Sequence, residues 1–452
     1  MPQQLAPLVK KALPCLIALI MSASAIAKPT PDIQRQLDDW IKGEPGGIAA
    51  AWVDKEGVVF FQSGTFDPDD HRPVTPDTQF EIGSITKVFT ALLLAESERL
   101  GKVSRNDSAA SYLLPPEDPD QTALAKITLV SLATHTSGLP RLPSNLGLRP
   151  ETASDPYAAY DRAALIAGLR LDGRTAVVGK KMEYSNFGAS VLGEALAAAW
   201  GTSYPDALRE HVLLPLGLKT TTLGIAGTPP PADLAPGHAS GKRVPNWTSL
   251  ACAPAGAIRS SAREMATFLT ACIGGKNQPL RAAFAATMQA QHDAPEIGGQ
   301  IGLAWMISGK NDKAIYWHNG ATAGSHAFIA FDPHAGTGVV LLGNVQKGPE
   351  ELGFKFLGVA PSKPVTAVAH AEEYTGDYPF APTFVIAVTA KDGSVFAQAT
   401  AQPRLGLRPV ATDRFAVIGV PAEISFERGV DGKVIALVLH QNGRDQRAPK
   451  RE

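Results

Sequence analysis

Cysteine is nearly absent from this chain, with three in 452 residues, and that scarcity excludes a scaffold built on disulfides. No C-x-x-C pair and no H-E-x-x-H occurs, so metal ligation has no pattern to rest on, and neither a metal nor a cofactor is expected. Charge of one sign is lacking too. Forty-two basic and 43 acidic side chains leave a net charge of -1, which gives no long-range field for nucleic acid or anionic lipid. No apolar run reaches the ~20 residues needed to span a bilayer. The chain also has no G-x-S-x-G, which removes the nucleophile elbow of the α/β-hydrolases, and no internal repeat, which removes solenoids.

What is present begins with a leader. Lys10 and Lys11 precede an apolar run from Ala12 to Ile20, and small residues follow up to Ala25-Ile26-Ala27. This pattern predicts a secretory signal peptide over residues 1–27, hence a periplasmic or secreted protein with no stable membrane span after cleavage. Cys15 lies inside the apolar run and not just after it, where a lipid-modified cysteine would stand. Cys252 and Cys272 then remain in a compartment where a disulfide can persist, and both a bridge and a pair of buried thiols are compatible with their spacing.

Two strand-like runs, Ile48 to Val53 and Val58 to Gln62, are joined by Asp54-Lys55-Glu56-Gly57, a hairpin signal. Some 200 residues of mostly helical pattern follow, including Ser84 to Leu100, Ser185 to Trp200 and Arg263 to Ile273. Strand signals return at Ile301 to Ile307, Ala314 to Trp317, Ala327 to Phe331 and Gly338 to Leu342. Strands at both ends of a helical stretch predict an α+β fold: an antiparallel sheet flanked by helices, with a helical subdomain inserted between its first and later strands. A cleft should separate the two regions. The proline-rich stretch Leu139 to Pro156 is long enough to form a lip on that cleft. Past Ala360-Pro361-Ser362-Lys363-Pro364 the pattern changes to short strands, so residues 28–360 and 365–452 read as separate domains, the second a small antiparallel β unit.

Ser84-Ile85-Thr86-Lys87 is the one S-x-x-K in the chain, and it opens an apolar helix just after Gly83. Three residues apart on a helix, Ser84 and Lys87 share a face. A serine hydroxyl needs a neighbouring base to become a nucleophile, and a desolvated lysine at the positive end of a helix can supply one. Tyr184-Ser185-Asn186 is the one Y-x-N and stands at the start of the second long helix. Tyr184 is placed to relay a proton, and Asn186 to hydrogen-bond both Lys87 and a substrate carbonyl. His318-Asn319-Gly320 ends a strand and is followed by Ala321-Thr322-Ala323-Gly324, small residues that let a ligand lie along the strand edge.

Each pattern alone is weak, and their order is what carries information. Ser-x-x-Lys, then Tyr-x-Asn, then a basic-x-Gly strand resembles the serine β-lactamase and penicillin-binding protein superfamily, closest to class C β-lactamases, D-alanyl-D-alanine carboxypeptidases and their esterase relatives. Phe80 to Ser84, Thr134 to Pro140 and Pro254 to Ser261 are phrases typical of those relatives, and the resemblance covers about Ile33 to Asn344. It implies Ser84 as nucleophile, Lys87 and Tyr184 as its proton partners, and the backbone N–H groups of Ser84 and Ala321 as an oxyanion hole. Asn186, His318, Gly320 and Ala321 would line the substrate.

His318 departs from the lysine that many of those relatives carry; the expectation is a protonated imidazole that partly replaces it in holding the substrate carboxylate, the alternative a neutral one that hydrogen-bonds Tyr184. His135 lies in a structural phrase and is given no chemistry. The C-terminal unit resembles the lipocalin-like or barrel-like appendage of many such hydrolases. The resulting expectation is a serine hydrolase that acts by an acyl-enzyme on D-alanyl peptides of cell-wall type, with β-lactams as a side substrate. A carboxyl esterase, a class C-like β-lactamase and a non-turnover penicillin-binding sensor are the alternatives.

Overall fold

The computed structural model describes residues 30–147, 154–274, 279–309, 311–359, 368–381, 384–391, 393–400, 404–417, 422–441 and 444–451. The expected leader, the 360–364 linker and part of the 139–156 stretch lie outside these residues.

Eight strands form the principal sheet: β1 (Gly47–Asp54), β2 (Gly57–Gly64), β3 (His292–Ala294), β4 (Gly299–Ile301), β5 (Met306–Ser308), β6 (Ile315–Ala321), β7 (His326–Asp332) and β8 (Thr337–Gly343). Their order is β2-β1-β8-β7-β6-β5-β4-β3, so the sheet's first hairpin pairs with its last strand, Ile48 opposite Gly343, and the helical region is inserted between β2 and β3. All these pairings are antiparallel.

Side chains alternate across the central strands. Ile48, Ala50, Trp52, Phe328, Ala330, Val339 and Leu341 face one core, and Ala49, Ala51, Val53, Ala327, Ile329, Phe331, Val340 and Leu342 face the other. Period-two alternation with both sets apolar means that both faces must be covered. Two helices cover the first face. In α1 (Thr30–Ile41), Ile33, Leu37 and Ile41 recur every four residues and bury one stripe, and α5 (Glu350–Phe356) adds Leu352 and Phe356. The inserted region covers the second face with α2 (Thr86–Arg99), α3 (Asn186–Trp200) and α4 (Ala262–Ile273). Ser185 caps α3 by accepting from Gly188 N at 2.8 Å, and Gly201 ends it with φ +67°. These caps fix Tyr184 just outside the helix and Asn186 as its first residue.

One expected strand is corrected. Ile301 to Ile307 is two strands, β4 and β5, because Gly302 N donates to Trp305 O at 2.8 Å and Ala304 turns with φ +61°. The apolar run continues through that turn because Leu303, Ala304 and Trp305 are buried against the helical region. The cysteines are also settled. Cys252 and Cys272 are free thiols, both buried, so the bridge is not made.

The C-terminal unit is a sequential antiparallel meander of eight strands, from Gly376–Ala381 to Arg444–Pro449. It nearly closes into a barrel, since Arg451 N donates to Asp377 O at 2.8 Å next to the first strand. Tyr378, Leu407, Phe415 and Leu437 fill its own core.

Candidate active site

The site forms where the start of α2 meets the end of β6. Gly83 (φ +49°) and Gly320 make the contact possible. A Cβ on Gly320 would stand 1.9 Å from Ile82 O and 3.0 Å from Ser84 N, and one on Gly83 would stand 2.6 Å from Ala321 N. Only glycine permits so close an approach of two backbones. The backbone N–H groups of Ser84 and Ala321 are thereby brought to one place, and both residues are half-buried, facing the cleft.

Lys87, in the first turn of α2, is 2 % exposed. Its Nζ lies 2.9 Å from Ser84 Oγ and donates to Ala255 O at 2.7 Å. Burial, reinforced by the positive charge of Arg141, holds its ammonium well below the usual lysine range. Burial thus favours the neutral amine, the form whose lone pair can take the serine proton. Tyr184 hydrogen-bonds Ser84 from the other side, and burial pushes its phenol up to about 12 against that bond and the Arg141 charge. Both partners of Ser84 Oγ are uncharged at neutral pH, the state in which one can accept a proton and the other can give one.

His135 packs its ring on Tyr184, with centroids 4.5 Å apart, and its Nδ1 accepts from Ser185 N at 3.2 Å. Held well below the usual histidine range chiefly by its burial, it is a neutral support for the tyrosine.

Two expected contacts are corrected. Asn186 does not bond Lys87: its Nδ2 reaches Tyr157 OH at 3.5 Å, its Oδ1 is buried without a partner among the described residues, and Ala255 O takes the lysine instead. His318 is not an imidazolium. It is fully buried, its Nδ1 lies 2.6 Å from Asn319 O, and desolvation first, then Lys87, drive its pKa down to about 3. Its ring stands 6.2 Å from that of Tyr184, so it packs behind the site as a neutral group.

A small open cavity of about 40 Å³ lies beside Ser84, Asn186 and Ala321. Its far wall carries Tyr157 and Trp247 in an edge-to-face pair, 5.6 Å between centroids at 80°. Glu81 also faces this cavity, accepting from Thr322 Oγ1 at 2.7 Å, and burial pushes its carboxyl up to about 7 despite that bond and the nearby Arg259. Glu81, Ala255, Arg141, Tyr157 and Trp247 were missed as site residues in the sequence. Signals for the first three existed, since Glu81 and Ala255 lie within two of the family-like phrases and Arg141 directly follows the third.

A serine between a buried lysine and a tyrosine, with two backbone donors at hand, is an arrangement suited to acyl transfer through a serine ester. The comparisons agree. Residues 37–360 match the family described as Beta-lactamase, and residues 360–449 match a domain of unknown function, DUF3471. The chain belongs to the serine β-lactamase and penicillin-binding protein superfamily and is a serine hydrolase of that general kind. A beta-lactamase of Pseudomonas fluorescens is 25% identical over 331 residues, which is 66% of this chain and 88% of that protein. The D-alanyl-D-alanine-carboxypeptidase/endopeptidase AmpH of Escherichia coli (strain K12) is 32% identical over 177 residues, 39% of this chain and 45% of AmpH. The crystal structure of SurE superposes with a TM-score of 0.64 at 24% identity, covering 93% of this chain and 98% of SurE. That of a beta-lactamase/D-alanine carboxypeptidase from Pseudomonas syringae gives 0.62 at 22%, covering 73% of this chain and 98% of the other. At these identities the structural likeness speaks for the fold.

Proposed function

We propose that the protein is an exported hydrolase that cleaves D-alanyl peptides of cell-wall type through an acyl-enzyme on Ser84, with β-lactams as a side substrate. The observation that carries the reading is the buried Lys87 Nζ, 2.9 Å from Ser84 Oγ and anchored on Ala255 O. Ser84 Oγ attacks the scissile carbonyl as its proton passes to Lys87 Nζ. The oxyanion is held by the N–H groups of Ser84 and Ala321. Tyr184 O–H protonates the departing amine and recovers a proton from Lys87, restoring both groups. Water then attacks the ester with the same pair acting in reverse, giving the acid and free Ser84. Asn186 Oδ1, buried without a partner among the described residues, accepts a substrate N–H. Export rests on the leader read in residues 1–27. Among the described residues no helix is long and apolar enough to cross a membrane.

A second reading, a carboxyl esterase using the same chemistry, is favoured by one observation, the neutral His318 where a cation was expected. Comparing kcat/KM for a D-Ala-D-Ala peptide, its L-Ala-L-Ala isomer and a short p-nitrophenyl ester separates the two. Release of D-alanine with D-over-L preference is expected. Ester turnover with no peptide cleavage would replace the peptidase reading by the esterase one.

A further inference from the structure

With His318 neutral and buried, the edge of β6 offers no charge to an anionic substrate. Lys87 and His135 are neutral for the same reason, desolvation. Arg259 is buried beside Glu81 and donates to Trp247 O at 3.1 Å, and Lys181 pairs with Glu183 at 2.5 Å. Arg141 is different. Its guanidinium carbon stands 5.2 Å from the centroid of the Tyr184 ring, and the side chain is half-buried, open to solvent on one side. No carboxylate pairs with it, and its guanidinium makes no hydrogen bond, among the described residues.

We infer that Arg141 binds the carboxylate of the substrate, so that charge recognition in this enzyme comes from the loop after Pro140 and not from the end of β6. Three features support the assignment. The guanidinium lies over the Tyr184 ring and makes no hydrogen bond among the described residues, which leaves its N–H groups free for a bidentate anion. The charge is also near the reacting groups, 5.2 Å from the Tyr184 ring centroid and acting on Lys87, Tyr184, Tyr157 and His135 alike. The residue is held in place by its backbone, because Arg141 O accepts from Asn186 N at 3.0 Å and from Phe187 N at 3.2 Å, the first amides of α3. That carbonyl survives any side-chain substitution, so a variant removes the charge without removing the cap. The orphaned Asn186 Oδ1 lies on the same first turn, a second contact for a substrate amide. The ligand class is therefore an acyl donor with a carboxylate near the scissile bond, such as a penicillin or a peptide ending in a free D-amino acid. This rests on the acyl-enzyme reading of Ser84.

The test is the rate of Ser84 acylation, followed by intact mass, for a penicillin and its methyl ester on wild type, Arg141→Ala and Arg141→Lys. Wild type should prefer the free acid by about tenfold to a hundredfold, the size of one charge-assisted bidentate contact. Arg141→Ala should abolish the preference, and Arg141→Lys should restore part of it. Because a guanidinium does not titrate, the preference should stay level from about pH 5.5 to 8.5, whereas an imidazolium reader would lose it above ~6.5. An unchanged acid-to-ester ratio in Arg141→Ala, or equal slowing of both compounds, overturns the inference alone. Absence of a Ser84 adduct in wild type with either compound overturns the acyl-enzyme reading itself.

Discussion

Gly320→Ala perturbs the oxyanion hole without touching a reacting side chain. The new methyl would lie 1.9 Å from Ile82 O, where non-bonded heavy atoms ordinarily stand ~3.5 Å apart, so β6 and the start of α2 must separate by about 1.5 Å. Neither side can give way cheaply, because the obstacle is backbone and Gly320 is held in register opposite Ala327 of β7. Such a separation displaces Ala321 N–H from Ser84 N–H. Losing one positioned oxyanion donor costs a factor of roughly 10² to 10³ in rate, about 3 kcal/mol. Forcing a methylene into a packed contact costs stability as well, typically ~1–3 kcal/mol. The assay is the second-order rate of acylation by a fluorescent penicillin, run beside a thermal melt that confirms a folded variant. Gly83→Ala attacks the same contact from the other backbone, its methyl 2.6 Å from Ala321 N and its φ of +49° unfavourable for alanine. A folded Gly320→Ala enzyme that acylates within about threefold of wild type would refute the reasoning that this contact builds the hole.

Lys87→Met should lower acylation by about a hundredfold or more while raising the thermal midpoint, because it removes both the base and a buried amine held off its ordinary protonation state; a lowered midpoint would contradict the desolvation argument. Glu81 is raised in the folded state to about 7 from 4.5, so its contribution to stability is complete below about pH 4.5 and is lost as pH rises through 7. Urea denaturation at pH 5 and pH 8 should therefore show wild type losing about 2.5 kcal/mol that Glu81→Gln does not lose, and parallel behaviour of the two proteins would show that Glu81 is not desolvated.

The grouping of Ser84, Lys87 and Tyr184 was legible because its geometry is local. Three residues of helix bring Lys87 to Ser84, and a serine cap places Tyr184 at the head of α3. The sheet built from both chain ends was legible from strand runs that flank a helical block. Other features depend on what surrounds a residue, which no spacing encodes. His318 reads as an available cation until its complete burial is known, and the Asn186 to Lys87 bond is replaced by a carbonyl, Ala255 O, with no side-chain signature. The turn between β4 and β5 is hidden because buried turns are as apolar as strands. Tyr157 and Trp247 meet across 90 residues of sequence, so their pairing is visible only in the fold.

The central claim is that Ser84 is the nucleophile, and covalent labelling tests it most directly. Wild-type protein incubated with a fluorescent penicillin should gain one adduct, mapped by peptide mass to the segment containing Ser84. Folded Ser84→Ala should gain none. An adduct that persists in Ser84→Ala, or one that maps to any other residue in wild type, would contradict the account.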